Sequence, residues 1–289
     1  MKSITYILIT VFICGIFITA LPGTISNRKQ VVKIQTVNEN PDSALLYESC
    51  LIIKNRLKDY GLQNFDISLN SNQKIIAISI NGKIDINKIL PLLISKGKIE
   101  FYETINRTDF IKLLAKGDTL FSLLSIAPEN SEMGIPSAKL GTCKPGVKSQ
   151  VDSYIDQHYN SKPRVGIKFI WSKNVNKDGD YYLYLLKPRA VLSNQQIMKA
   201  SVKKINGGND LMITFNEKGG LIWQNLSKNN MNKPIAIVID NKVYAAPVIK
   251  EEINNGTCEI SGNSTFEVVN QLKSLIANGE LPLDFKIVK

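Results

Sequence analysis

The residues able to do chemistry are few, and they do not converge. His158 is the only histidine in 289 residues. It sits among Asp156, Gln157 and Tyr159 in a polar stretch and reads as a surface residue, not a proton shuttle. Acidic pairs occur at Glu251-Glu252 and at Asp178 with Asp180. Both pairs fall in predicted turns, and close neighbours in sequence do not share a face well, which argues against paired-carboxylate hydrolysis. The doublets Gly207-Gly208 and Gly219-Gly220 lack the lysine and spacing of a phosphate loop; they read as a turn and a helix irregularity. No GxSxG elbow and no HExxH helix occurs. Cys50 shares a helical stripe with Leu46, Ile53 and Leu57 and reads as a small buried hydrophobe. Cys143 and Cys258 are able to pair in an oxidising compartment, and their spacing leaves that open; no CxxC motif or zinc pattern is present. The chain reads as a binding module without catalytic residues, cofactor or metal.

Charge narrows the partners further. The formal balance is +11, carried mostly by Lys scattered among Asn and Glu. A nucleic-acid surface calls for Arg clusters or stacking aromatics on a basic face, and neither is found. The span Ile4–Leu21 is free of charge and ends at Pro22-Gly23. Residues 1–23 therefore read as a signal peptide or a membrane anchor, with Asn27 onward outside the cytoplasm. Bulky Phe12 and Ile13 before Cys14 argue against lipidation. No later stretch is long and apolar enough to cross a membrane as a helix.

The elements that must position a binding surface follow from periodicity. Gln30–Gln35 reads as a strand and Ser43–Tyr60 as a helix closed by Gly61. Phe65, Ile67 and Leu69 alternate as a strand, as do Ile76, Ile78 and Ile80 after a polar turn. Ile86–Lys96 is helical, with Pro91 expected in its first turn, and Lys98–Thr104 is a strand. That order, β-α-β-β-α-β, predicts a ferredoxin-like base. Asn106–Pro163 is the least informative region, with helical stretches at Asp109–Lys116 and Val151–Tyr159 around a loop from Pro128 to Gly146. Beyond it, Val165, Ile167 and Phe169 alternate, Lys177-Asp178-Gly179 turns, and Tyr181, Leu183 and Leu185 return. A short helical stretch is expected near Gln195–Lys199. Leu211, Ile213 and Phe215 make a strand, and Asn216 caps a helix carrying Leu221, Ile222 and Leu226.

The last third is the most sharply punctuated. In KPIAIVIDNKVYAAP, Ile235, Ile237 and Ile239 alternate, Asp240-Asn241 forms a two-residue turn suited to type I′, and Val243 and Ala245 alternate back to Pro247. Tyr244 falls on the face opposite Val243 and Ala245. In ISGNSTFEVVNQLKSLIANGELP a short strand leads into a helix. Ser264 and Glu267 fit a capping box; Val268, Val269, Leu272, Leu275 and Ile276 line one face; Gly279 and Pro282 end it. Leu283–Val288 is a last strand.

These two stretches resemble the head of the large periplasmic domain of the SecD family, the membrane subunits that assist preprotein export. A second likeness runs through CLIIKNRLKDYGLQNFDISLNSNQKIIAISI and ISKGKIEFYETI, where Asn55, Arg56, Gly61, Glu100 and Phe101 occupy positions of the family's base. The resemblance implies an α+β fold: a ferredoxin-like base over residues 29–105 completed by 283–289, a linker or head insertion over 106–162, and a head over 163–282. It implies an accessory factor in Sec-dependent export, anchored on the periplasmic side of the inner membrane or secreted after signal cleavage, with unfolded preprotein and translocon subunits as partners. The family's glycine-rich run has no counterpart around Val31–Asn38. Its five later membrane helices, with their proton relay, have none before Lys289, so no motor is expected in this chain. The alternative is an envelope-binding module that kept the fold without the export role. Such a domain needs open sheet edges or apolar grooves. The hairpin residues Asp240, Asn241, Val243, Tyr244, Ala245, Ala246 and Pro247 are candidates for polypeptide contact at an edge. Thr104, Ile105, Asn106, Gly279 and Leu281 are candidate hinge residues between base and head.

Overall fold

The computed structural model describes residues 29–288 apart from 83, 115, 127–137 and 161–165. The expected N-terminal signal or anchor, Cys14, Pro163 and much of the 128–146 loop lie outside the described residues. Among the described residues no helix is long and apolar enough to cross a membrane.

The base begins with β1 (Lys29–Thr36), α1 (Ser43–Tyr60), β2 (Phe65–Asn70), β3 (Ile75–Asn81) and α2 (Ile86–Ile94). Asp42 caps α1 through its side chain, and Gly61 ends it at φ 108°, a left-handed position that costs glycine nothing. Ile76, Ile78 and Ile80 alternate inward from β3 onto Leu46, Ile53 and Leu57 of α1 and Ile89, Leu92 and Leu93 of α2. Each such side chain contributes about 1.5–3 kcal/mol by leaving water. Pro91 lies within α2, not in its first turn; the helix is short, and Ser95 closes it by bonding to the Pro91 carbonyl.

The next strand departs from expectation. β4 (Ile99–Glu103) does not close the base sheet. After it come α3 (Arg107–Leu113), β5 (Lys139–Cys143), α4 (Lys148–Ile155), β6 (Lys168–Val175), β7 (Tyr181–Leu186), β8 (Leu192–Ser193), β9 (Ile197–Ile205), β10 (Gly208–Phe215), α5 (Glu217–Asn229), β11 (Ile235–Ile239), β12 (Lys242–Ala245), β13 (Thr257–Ser264), α6 (Phe266–Ala277) and β14 (Phe285–Val288). The base sheet has the order β14-β1-β3-β2, antiparallel throughout. β4 instead joins a seven-stranded sheet of order β5-β7-β6-β12-β11-β4-β8, where Phe101 and Ile99 stand opposite Ile237 and Ile239. The physical reason is burial. Ile99 and Phe101 are fully buried in the same core as Ile235, Ile237 and Ile239.

A third sheet, β13-β10-β9, carries the head core's other wall. Phe101 meets Phe215 and Trp223 there edge to face, and those two rings tilt against each other, with ring centroids 5.5–5.7 Å apart throughout. The stretch expected to be helical near Gln195–Lys199 is one 3₁₀ turn over Asn194–Gln196 followed by β9; pairing along β10 overrides the local preference. β5 was likewise hidden in the expected loop. Thr265, not Ser264, caps α6 through its side chain, because Ser264 is still paired with Asn209. Val268 is exposed. α6 serves two cores: Val269 and Ile276 enter the head core and Leu275 the base core.

Candidate functional site at the base–head crossing

The hairpin turns as the sequence predicts. Asp240 and Asn241 both adopt positive φ, 48° and 58°, as a type I′ turn requires. The rest of the hairpin differs. A bulge shifts the register between Ile237 and Val238, so Val243 packs with Tyr102, Ile170 and Val238 while Tyr244 and Ala245 pack against the head core. β12 is not an edge; it lies between β11 and β6. Tyr244 is half-buried, and burial, reinforced by nearby Asp240, pushes its hydroxyl up to about 12. Ala246 is half-buried and Pro247 exposed. The expectation that these hairpin residues meet polypeptide at a sheet edge is therefore corrected, because β12 is paired on both sides. β9 is one of the terminal strands of the head sheets, and Met198 on it is 67% exposed.

The hairpin turn reaches inward to the place where the chain leaves the base. Asp240 accepts from the Lys98 amide at 2.9 Å and donates its own amide to the Lys98 carbonyl at 3.0 Å. Asn194 repeats the pattern one residue to each side, donating to the Gly97 carbonyl at 2.9 Å and accepting from the Ile99 amide at 2.8 Å. From the base side, Arg56 on α1 is fully buried. Its guanidinium donates to the carbonyls of Ser95, Lys96 and Gly279, each at 2.7 Å, and to Leu92 at 3.4 Å. Its Nε has no partner among the described residues. Burial pulls the group down to about 10, opposed by Asp240 and Glu280; the fork stays charged at neutral pH and is matched to carbonyls. The Leu281 amide completes the crossing by donating to the Lys96 carbonyl at 2.8 Å.

Gly97 makes this arrangement possible. It sits at φ 73°, and a Cβ there would lie 2.4 Å from an Arg56 nitrogen and 3.2 Å from the Leu275 carbonyl. The outgoing segment 95–98 and the returning segment 279–283 thus cross side by side, held by a base cation and two head amide or carboxyl groups. Sequence reading named Gly279 and Leu281 as joint residues and Arg56 only as a position of the base, and it did not single out Gly97 or Asn194. A cation inside the apolar stripe of α1, beside Ile53 and Leu57, was the available signal.

The other candidate hinge is elsewhere. Thr104 bridges Leu186, Ile105 donates to the Leu185 carbonyl at 2.9 Å and Lys187 to Glu103 at 2.9 Å. These bonds draw the end of β4 onto the end of β7, so the seven-stranded sheet curls around Tyr102, Ile170, Tyr184 and Val238. Asn106 caps α3. Thr104, Ile105 and Asn106 are therefore a seam within the head, not a base boundary. They line a cleft of about 370 Å³ with Asp109, Lys187, Met231 and Lys233.

The residues weighed for chemistry stay apart. His158 is exposed and stacks on Tyr154 at 4.0 Å. Cys143 and Cys258 are free and buried in different clusters, so the disulfide is not formed; Cys50 is half-buried. Glu252 accepts from Gln224, and the Asp178 and Asp180 amides cap a turn through Asn176. Among the described residues no group of His, Cys, Asp and Glu is placed to hold a metal.

Comparison with known proteins agrees with this architecture. Residues 168–283 match the family model for the SecDF P1 head subdomain. The protein translocase subunit SecD of Calditerrivibrio nitroreducens is 26% identical over 259 residues, covering 82% of this chain and 48% of the relative. The SecD of Rickettsia prowazekii is 37% identical over 112 residues, 38% of this chain and 21% of its own. The chain thus spans less than half the length of these relatives. A solved structure described as a membrane component SecDF that enhances protein export has the same fold at TM-score 0.54 and 19% identity, covering 90% of this chain and 98% of that one. SecDF in its super-membrane-facing form aligns at TM-score 0.57, also 19% identical, over 91% of this chain and 30% of that one. With a head that matches the family model and a base joined to it by two crossing segments, this chain is similar to the periplasmic domain of SecD over most of its described length.

Proposed function

We propose that this chain acts in Sec-dependent protein export, binding translocating preprotein or the translocon on the periplasmic side of the inner membrane, with residues 4–21 as its anchor. The observation that carries the reading is the match of residues 168–283 to the SecDF head on a chain whose β1–α2 and β14 supply a separate base sheet. In this reading the base is a ferredoxin-like unit whose closing strand is β14, and the head between α2 and β14 holds polypeptide weakly, without catalysis or cofactor. Proton-coupled work lies outside the domain.

An open strand edge supports weak polypeptide binding, because an extended segment adds to it through main-chain hydrogen bonds that are independent of sequence. β9 offers such an edge, and Met198 upon it projects into solvent. The test is photocrosslinking from Met198 in actively secreting cells. Capture of preprotein or translocon subunits is the expected result. Capture only of envelope proteins unconnected with export would overturn the reading in favour of an envelope-binding module.

A further inference from the structure

We propose that Arg56 and Gly97 form a matched pin that, beside the packing of α6 on the base, fixes the angle between base and head at the point where the backbone crosses. The inference goes beyond the export reading and holds for the fold whatever the chain binds. It stands on three observations. First, the backbone crosses between base and head only twice among the described residues, at 95–98 and at 279–283, and Arg56 bonds to both crossings. Secondly, the bonds are to carbonyls separated from Arg56 by 39 to 223 positions, and they add a buried cation to the Leu281–Lys96 bond and to the bonds of α6 with Tyr60, Lys88 and Asp59 of the base. Thirdly, Gly97 has no room for a side chain on the guanidinium side.

The two residues act through a single contact. Any side chain at 97 meets the guanidinium, and any shorter or flat-ended residue at 56 leaves the Ser95, Lys96 and Gly279 carbonyls without their charged donor. Lysine keeps the charge but has no fork, and so satisfies fewer of the carbonyls at once. The head supplies the opposing grip through Asp240 and Asn194, which bind only the outgoing segment. Loss of the pin therefore leaves the returning segment held at this crossing by Lys96 alone, through its bonds with Leu281 and Pro282.

The experiment uses the full chain with spin labels at Tyr47 on the base and Leu221 on the head, both exposed, and measures the distance distribution between them. Arg56→Met and Gly97→Ala are each expected to broaden a narrow distribution, and the double variant to broaden it no further than either alone, since neighbours sharing one contact do not add. Amide exchange at Leu281 is expected to quicken about tenfold or more as its bond to Lys96 opens locally. Arg56→Lys, the milder change, is expected to fall between wild type and Arg56→Met and guards against loss of folding in the others. A narrow distribution and unchanged Leu281 exchange in folded Arg56→Lys and Gly97→Ala chains would overturn the proposal. So would additive broadening in the double variant.

Discussion

Two segments that look equivalent in sequence, one around Thr104–Asn106 and one around Gly279–Leu281, have opposite fates. The first is a seam: its backbone bonds to Leu185 and Leu186 close a curled sheet within the head. The second is a crossing: its carbonyl and amide are held by Arg56 and Lys96 of the base. A segment becomes a joint between subdomains when its partners belong to the other core, and that is decided by pairing, not by where an insertion starts. β4 moved the head's beginning back to Ser95 simply by pairing with β11.

The sharpest break in this comparison is Arg56→Met. It leaves several buried carbonyls without a charged donor, and a loss of about 3–5 kcal/mol in urea unfolding is expected. An unchanged midpoint would make the crossing no stronger than the seam. Gly97→Ala comes next, at about 1–3 kcal/mol from the strained φ and the displaced guanidinium. At the seam, Thr104→Val removes the 2.8 Å bond to the Pro234 carbonyl at a cost of about 1 kcal/mol, and the label distance across the crossing stays as in wild type. A widened distance in Thr104→Val would return this segment to the joint.

The smallest effect is in the alkaline limb. Burial raises the hydroxyls of Tyr244 and Tyr184 from 10.0 to about 12, so the folded chain keeps protons that the unfolded chain releases in this range. Their contribution to stability is whole below pH 10 and is lost as pH rises toward 12. Tyr244→Phe is expected to make that decline shallower, measured by unfolding at stepped pH. An unaltered slope would place Tyr244 in water, as its alternation in sequence first indicated.

Much of the local structure was legible. The 3.6-residue stripes of α1 and α5, the alternation of β3 and β10 and the Asp240-Asn241 turn all follow from short-range preferences that survive folding. β9 and β5 were missed for the opposite reason: Lys199, Lys203 and Lys204 dilute the pattern in β9, and β5 is five residues long with Gly141 at its centre. Their strand state comes from neighbours β10 and β7. The bulge that brings Ala245 to the same core as Tyr244 left no mark in the sequence, since one extra residue in a pair shifts every later side chain to the other face.

What the sequence by itself determined is the inventory: helices, alternating strands, a type I′ hairpin, the glycine that ends α1 and the likeness to SecD. What only the tertiary structure decided is membership. It put β4 in the head and β14 in the base, buried β12 inside a sheet, and drew Arg56, Gly97, Asn194, Asp240 and Gly279 to one crossing. The physical reason is that strand pairing and buried hydrogen bonds join residues up to 223 positions apart. Such contacts are chosen by the total apolar surface buried and by the need to satisfy every buried polar group, quantities that no local window of sequence contains.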